Sequence, residues 1–156
     1  MNRCWCGCTA SALTGDVFGS QRCDCGAQLA EAMRIVERAG AGAVLYMRQE
    51  GRGIGLANKL RAYALQDVRL RHGGGQPGAG LPARTCATTA SRRRCSIDLG
   101  VRRMRLLTNN PKKVVGLEGY GLEMVERVPL EVPPTEANKS YLETKKHKLG
   151  HLLSSL

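Results

Sequence analysis

Three short apolar runs, set apart by helix-like segments, constrain the fold of this chain more than any other feature. They are residues 43–47 (AVLYM), 101–108 (VRRMRLLT) and 122–130 (LEMVERVPL), and each has the length of a strand. The first run has no charged residue, so we expect it to be buried on both faces. Strands that alternate with helices along a chain indicate α/β architecture.

Apolar residues at helical spacing predict two amphipathic helices. In residues 28–40 the apolar face consists of Leu29, Met33 and Val36, and in residues 56–67 it consists of Leu56, Leu60 and Tyr63. Asn110 and Pro111 are suited to the start of another helix, which would end near Gly121. A last helix is predicted from about Glu136, with a solvated face that carries Lys145, Lys146 and Lys148.

Length and composition limit the class of protein. A chain of 156 residues is expected to form one domain. No apolar run approaches the roughly 20 residues that a membrane-spanning helix needs, and the N-terminal residues do not have the pattern of a signal peptide. The sequence therefore predicts a cytoplasmic protein without a membrane partner.

Residues 68–96 do not match the pattern on either side of them. This segment contains six arginines and no acidic residue, so it supplies +6 of the formal net charge of +11. It has no hydrophobic periodicity, and we predict that it is irregular. A net positive charge also fits a nucleic-acid partner. We do not favour such a partner, because more than half of the positive excess lies in this one segment.

Cysteines occur in separate pairs or triplets along the chain. Cys23 and Cys25, in the stretch RCDCG, can both reach one Zn²⁺, but a zinc site needs at least one more ligand. The other candidates lie near the N-terminus, at Cys4, Cys6 and Cys8. Without a metal, the pair at 23 and 25 would be ordinary loop thiols.

Two loops that follow predicted strands carry groups suited to a nucleotide. Residues 48–55 (RQEGRGIG) offer guanidinium groups to phosphate, and Glu50 can accept hydrogen bonds from a guanine. Residues 106–113 (LLTNNPKK) place Thr108 and Lys113 near a helix start, where anions bind. Solvated surface turns and simple helix capping would explain the same residues without a ligand.

Taken together, LTGDVFGSQRCDCGAQL, LYMRQEGRGIGLANKLRAYALQD and RLLTNNPKKVVGLEGYGLEMVERVPL closely resemble GTP cyclohydrolase II of riboflavin biosynthesis. The likeness covers about residues 13–67 and 97–153. It implies a single domain over 13–153, with a mixed sheet flanked by helices and interrupted by 68–96, and a non-native-looking segment at 1–12. The family can be fused to a second riboflavin-pathway domain, so this chain could be a fragment of a bifunctional enzyme.

The resemblance also implies a reaction, its cofactors and a homodimer. In the family, Zn²⁺ held by three cysteines activates water to open the imidazole ring of GTP, and formate and pyrophosphate are released with the help of Mg²⁺. By motif, Cys23 and Cys25 resemble two of the zinc ligands, and Tyr63 resembles a tyrosine that faces the site. The positions that resemble GTP-binding residues are Gln28, Glu50, Gly51, Arg52, Thr108 and Lys113.

Two departures from the family pattern predict that this chain is inactive as written. The first zinc cysteine should immediately precede LTGD, where this chain has Ala12. The catalytic aspartate and arginine should form a D-x-R pattern within the stretch that corresponds to 68–96, which has no acidic residue. Neither role can therefore be assigned to a residue of this chain. A basic zinc-binding module for nucleic acid, built on the arginines and Cys4, Cys6 and Cys8, is the alternative.

A shift of reading frame would account for both departures. Codons for Arg69 through Pro82, read one base later, can spell GYDTVEANLALGFP, and codons for Arg84 through Ser96, offset by two bases, can spell DLRDYGIAAQML. Codons for Cys6 through Ala12, offset by two bases, can spell RVHCEC. All three peptides resemble the missing family segments. We hypothesise that single-base insertions produced segments 1–12 and 68–96, which resequencing of the coding DNA would test.

Overall fold

The computed structural model describes residues 4–71 and 87–156, and its centre is a parallel β-sheet flanked by helices. The described strands are β1 (Cys4–Ala10), β2 (Gly42–Met47), β3 (Arg103–Leu107) and β4 (Glu123–Val128), in the spatial order β2-β1-β3-β4. The α/β class is therefore confirmed. Among the described strands the sheet is parallel rather than mixed, because all three of their pairings are parallel.

The described helices are α1 (Leu13–Asp16), α2 (Cys25–Arg38), α3 (Leu56–Arg71), α4 (Ala87–Asp98) and α5 (Lys139–Leu149). Helix α2 packs on one face of the sheet, where a side chain at Gly7 would come within 3.5 Å of Ala32. On the other face, Met104 and Leu106 form a buried cluster against which Ile97 of α4 packs. The sheet therefore has helices on both faces, as parallel sheets require.

Strand β1 lies between β2 and β3, although the sequence indicated no element before residue 13. Trp5 pairs with Gly42 on one side and Arg105 on the other, so β1 has a hydrogen-bonded neighbour along both edges. Alternation along the strand sends Cys6 into the core cluster and Gly7 towards α2. Residues 4–10 thus contribute a central strand of the fold.

The prediction that 68–96 is irregular is wrong at both ends of the segment. Helix α3 continues to Arg71, and α4 begins at Ala87; residues 72–86 lie outside the described part of the chain. Helix α4 buries Ser96 and packs Ile97 on the core, while Arg92 and Arg93 are half-buried. The aliphatic stems of arginine can cover apolar surface, so this helix needs no clear apolar stripe.

Three details of the predicted strands and helices also differ. Strand β2 is the first of the four described strands in the sheet order. It is not buried on both faces, because Tyr46 is 44% exposed. Met33 and Leu60 point to solvent, and Ala32 is the buried residue of α2. The apolar faces of α2 and α3 are therefore rotated from those that the spacing predicts.

The C-terminal third differs from the expectation in its helices. Asn110 does act as a cap, with its side chain accepting a 3.0 Å hydrogen bond from the amide of Lys112, but only short 3₁₀ turns follow, at Pro111–Lys113 and Glu118–Tyr120. Helix α5 begins at Lys139 rather than Glu136. Among the described residues, no helix has the length and apolarity needed to cross a membrane.

Candidate functional site

The predicted site residues meet at the edge of the sheet where the parallel strands end. The segments that follow β1, β2 and β3 all lie there, and α2 begins at the same edge because it runs back against the strands. Ligands of α/β proteins commonly bind at this edge. Two neighbouring groups of side chains are found, one around Glu50 and Cys23 and one around Lys113.

Cys23 and Cys25 lie at the start of α2 and interact with each other. The thiol and the amide of Cys25 donate to the Cys23 sulfur and, aided by the Lys59 charge, lower the pKa of Cys23 to about 6 despite its burial. The same hydrogen bond, together with burial, raises the pKa of Cys25. The two sulfurs are thus in contact and their pKa values shift in opposite directions.

The residues present do not complete a zinc site of the family type. Ala12 stands directly before α1, and Gly15 of that helix lies against Cys23, where a side chain at residue 15 would come within 3.2 Å of the sulfur. Ala12 offers no ligand atom from its side chain. Among the described residues, no group of three or more His, Cys, Asp or Glu is placed to hold a metal ion.

The N-terminal cysteines do not supply the missing ligand. Cys4, Cys6 and Cys8 occupy every second position of β1, so their side chains lie on one face of the sheet. Cys6 is packed into the core cluster. Burial, followed by repulsion from Cys8 and Cys4, raises the pKa of Cys6 to about 12. The structure gives no support to a zinc module built on these three residues.

Glu50 is held firmly where the loop after β2 begins. Its carboxylate accepts hydrogen bonds from the Leu13 amide at 2.7 Å and the Lys59 ammonium at 2.7 Å. Burial by itself would raise the pKa of Glu50, but these two donors, together with the Gly51 amide, outweigh it and hold the pKa below its ordinary value. Gly51 follows with a positive φ of +59°, and a Cβ there would lie 2.9 Å from Ile54, so this turn requires glycine.

Lys59 and Tyr63 connect Glu50 to the cysteines. Lys59 is buried, pairs with Glu50, and lies 5.9 Å from the centre of the Tyr63 ring. Burial, together with the nearby Cys23, raises the pKa of Tyr63. Tyr63 therefore faces this group rather than the core. The sequence signal for Lys59 was its position four residues before Tyr63, on the same face of α3.

One pocket is lined by three of the predicted substrate residues, Gln28, Thr108 and Lys113. Thr108 is buried and accepts a 3.1 Å hydrogen bond from the Asn110 amide, and Lys113 donates a 2.7 Å bond to the Cys8 carbonyl. Burial lowers the pKa of Lys113 to about 8, aided by the charges of Arg92 and Lys145. For Arg52 only the backbone, in the Glu50–Gly53 turn, is described.

A buried ion pair that the sequence did not reveal supports this pocket. Lys145 of α5 is 6% exposed and its ammonium lies 2.5 Å from the carboxylate of Asp24, which is 2% exposed. Gln28 donates to the same carboxylate at 2.6 Å. The prediction that Lys145 is solvated is therefore wrong, because its side chain is buried against Asp24. The ion pair joins α5 to the start of α2, beside Cys23 and Cys25.

Comparison with known proteins agrees with this arrangement. A family model described as GTP cyclohydrolase II matches residues 9–129. The riboflavin biosynthesis protein RibBA of Chlorobium phaeovibrioides is 57% identical over 147 residues, which cover 93% of this chain and 35% of that protein. RibBA of Bacillus cereus strain G9842 is 56% identical over 147 residues, covering 93% and 36%. The chain spans about a third of the length of these curated relatives.

The family model covers most of the described residues, from the end of β1 to the end of β4. Its span includes Cys23, Glu50 and Lys113, which the fold gathers at one edge of the sheet. Sequence, fold and the placement of these residues agree, and the chain belongs to the GTP cyclohydrolase II family.

Proposed function

We propose that this chain binds GTP at the edge of the sheet where the strands end, but does not open its imidazole ring. The observation that carries the proposal is the pocket that brings Gln28, Thr108 and Lys113 together from separate parts of the chain. No aspartate or glutamate is found among the described residues that line it. A pocket with a half-buried lysine and no carboxylate favours a polyanion such as a triphosphate.

The guanine end of GTP is assigned to the neighbouring group around Glu50. The carboxylate of Glu50 is ionised and held in place by Leu13 and Lys59. A carboxylate has about four acceptor positions. Leu13, Lys59 and the Gly51 amide do not take all of them, so Glu50 can still accept a hydrogen bond from a guanine. The two groups of residues would then bind opposite ends of one nucleotide.

The complete reaction of the family would give 2,5-diamino-6-(5-phosphoribosylamino)pyrimidin-4-one, formate and pyrophosphate, as the first step of riboflavin biosynthesis. We expect this reaction to use Zn²⁺ and Mg²⁺. We also expect the chain to form a homodimer and to be located in the cytoplasm. In this chain, Cys23 and Cys25 provide two of three zinc ligands, so zinc should bind weakly. The D-x-R aspartate and arginine have no matching residues, which should abolish phosphoryl chemistry.

The test is to measure GTP binding and formate release on the same preparation. Calorimetric titration should detect GTP binding that survives high salt, and an assay with Zn²⁺ and Mg²⁺ should detect no formate. Binding of RNA or DNA that weakens steeply with salt, without GTP binding, would instead favour the nucleic-acid module. Formate release at a rate typical of enzymes would overturn the proposed inactivity.

The affinity for GTP should fall about tenfold between pH 7 and pH 9. The lysine binds the polyanion in its protonated form, and its pKa of about 8 lies within this interval. Because burial has lowered this pKa, the ammonium is lost as the pH rises through about 8, and its attraction for phosphate is lost with it. Calorimetric titration at several pH values would measure the change.

A Lys113→Gln variant should bind GTP about tenfold more weakly at pH 7 and show little further change up to pH 9. Lys112→Gln is a matched control, because Lys112 is exposed and its contact with Asn110 is made by its backbone amide. An unchanged pH dependence in Lys113→Gln would show that another group controls the binding.

A further inference from the structure

The chain after α5 turns back onto the nucleotide pocket. Helix α5 ends at Gly150, which has a left-handed backbone with a φ of +68°. Glycine adopts this conformation at little cost and commonly ends helices in this way. The turn places His151 directly after α5, where its amide donates a 3.0 Å hydrogen bond to the Lys145 carbonyl.

Contacts beyond His151 hold this tail in position. The amide of Leu152 donates a 2.8 Å hydrogen bond to the carbonyl of Asn109, which lies in the segment after β3. Leu153 is buried, and Ser154 donates to the carboxylate of Glu131 through both its amide and its hydroxyl. The tail is thus fixed to the loops that follow β3 and β4, mainly through backbone groups.

His151 is one of the residues that line the pocket containing Gln28, Thr108 and Lys113. Lys113 carries at most one positive charge, whereas a triphosphate carries several negative charges. An imidazole can donate a hydrogen bond to phosphate when neutral and adds a positive charge when protonated. Its place beside Lys113 therefore suits the phosphate end of the ligand.

We propose that His151 binds the polyphosphate of the nucleotide, so that the C-terminal tail supplies part of the pocket wall. This inference rests on the proposed function, because it assigns a further residue to the same site. The chemical class of ligand is an inorganic or nucleoside polyphosphate. The tail anchors, Leu152 on Asn109 and Ser154 on Glu131, hold the backbone that follows His151.

The experiment compares His151→Ala with His147→Ala. His147 is an exposed histidine on α5 and serves as the matched control. The backbone hydrogen bonds of residues 151 and 152 that hold the tail are retained in His151→Ala. His151→Ala should bind GTP and inorganic triphosphate about tenfold more weakly and guanosine with less than a twofold change; His147→Ala should match the unaltered chain.

Nuclear magnetic resonance of the unaltered chain provides a second measurement that does not depend on a variant's folding. The chain has three histidines, so the imidazole signal of His151 can be assigned by its absence from His151→Ala. GTP and inorganic triphosphate should each shift this signal, and guanosine should leave it nearly unchanged.

The outcomes separate this inference from the proposed function. If GTP binds by calorimetry while the His151 signal stays fixed and His151→Ala keeps full affinity, the inference is overturned and the function stands. If triphosphate shifts the signal but GTP does not bind, the proposed function fails and His151 remains a polyphosphate ligand. If neither compound moves the signal and calorimetry detects no GTP binding, both are overturned.

Discussion

Replacing Lys145 with methionine is expected to lower the free energy of unfolding by about 3 kcal/mol. The ammonium of Lys145 and the carboxylate of Asp24 are both buried and lie 2.5 Å apart. Methionine fills a similar volume, so the main loss is the partner charge. The buried Asp24 side chain then keeps Gln28 as its remaining side-chain donor in the described structure. Urea unfolding followed by circular dichroism would measure the loss.

Two further variants separate the buried charge from general effects of substitution. Lys139→Met, at the exposed start of the same helix, should change the unfolding free energy by less than about 0.5 kcal/mol. The double variant Asp24→Asn with Lys145→Met should regain much of the lost stability, because no uncompensated charge remains. Equal stability of Lys145→Met and the unaltered chain would mean that the ion pair contributes nothing.

Replacing Ala12 with cysteine is expected to raise the affinity for Zn²⁺ by roughly two orders of magnitude. Structural zinc sites with four ligands gain about 10–16 kcal/mol, or on the order of 3 kcal/mol for each ligand. Ala12 is buried directly before α1, whose Gly15 lies against Cys23, so a thiol there approaches the Cys23–Cys25 pair. Competition with a chromogenic chelator would measure the affinity, and the Co²⁺ spectrum would report the number of thiolates.

Ser11→Cys is the matched control for this experiment, since it adds the same group one residue earlier. The amide of residue 11 donates a 2.8 Å hydrogen bond to the Met47 carbonyl, just after the end of β1. The zinc affinity of Ser11→Cys should stay close to that of the unaltered chain. Formate release should remain undetectable in Ala12→Cys, because the D-x-R pair is still missing. If Ala12→Cys bound zinc no better than Ser11→Cys, the third-ligand position would have to lie elsewhere.

The local spacing of apolar residues was sufficient to predict several helices and strands. Residues 28–38 and 56–67 are helical, and the runs at 43–47, 103–107 and 123–128 are strands, as the apolar spacing predicts. The motifs around Cys23, Glu50 and Lys113 meet at one edge of the sheet, which follows from their positions after parallel strands or at the start of a helix. The spacing of apolar residues thus determined the α/β class, and the resemblance of the quoted motifs indicated the family.

Contacts between distant segments decided the rest. Cys4–Ala10 is a strand because β2 and β3 pair with both of its edges, and Lys145 is buried because Asp24, 121 residues away in the chain, lies opposite it. His151 reaches the pocket through the turn at Gly150 and the hydrogen bond between Leu152 and Asn109. Such pairings leave no periodic mark in the sequence, because their free energy depends on partners that only the folded chain brings together.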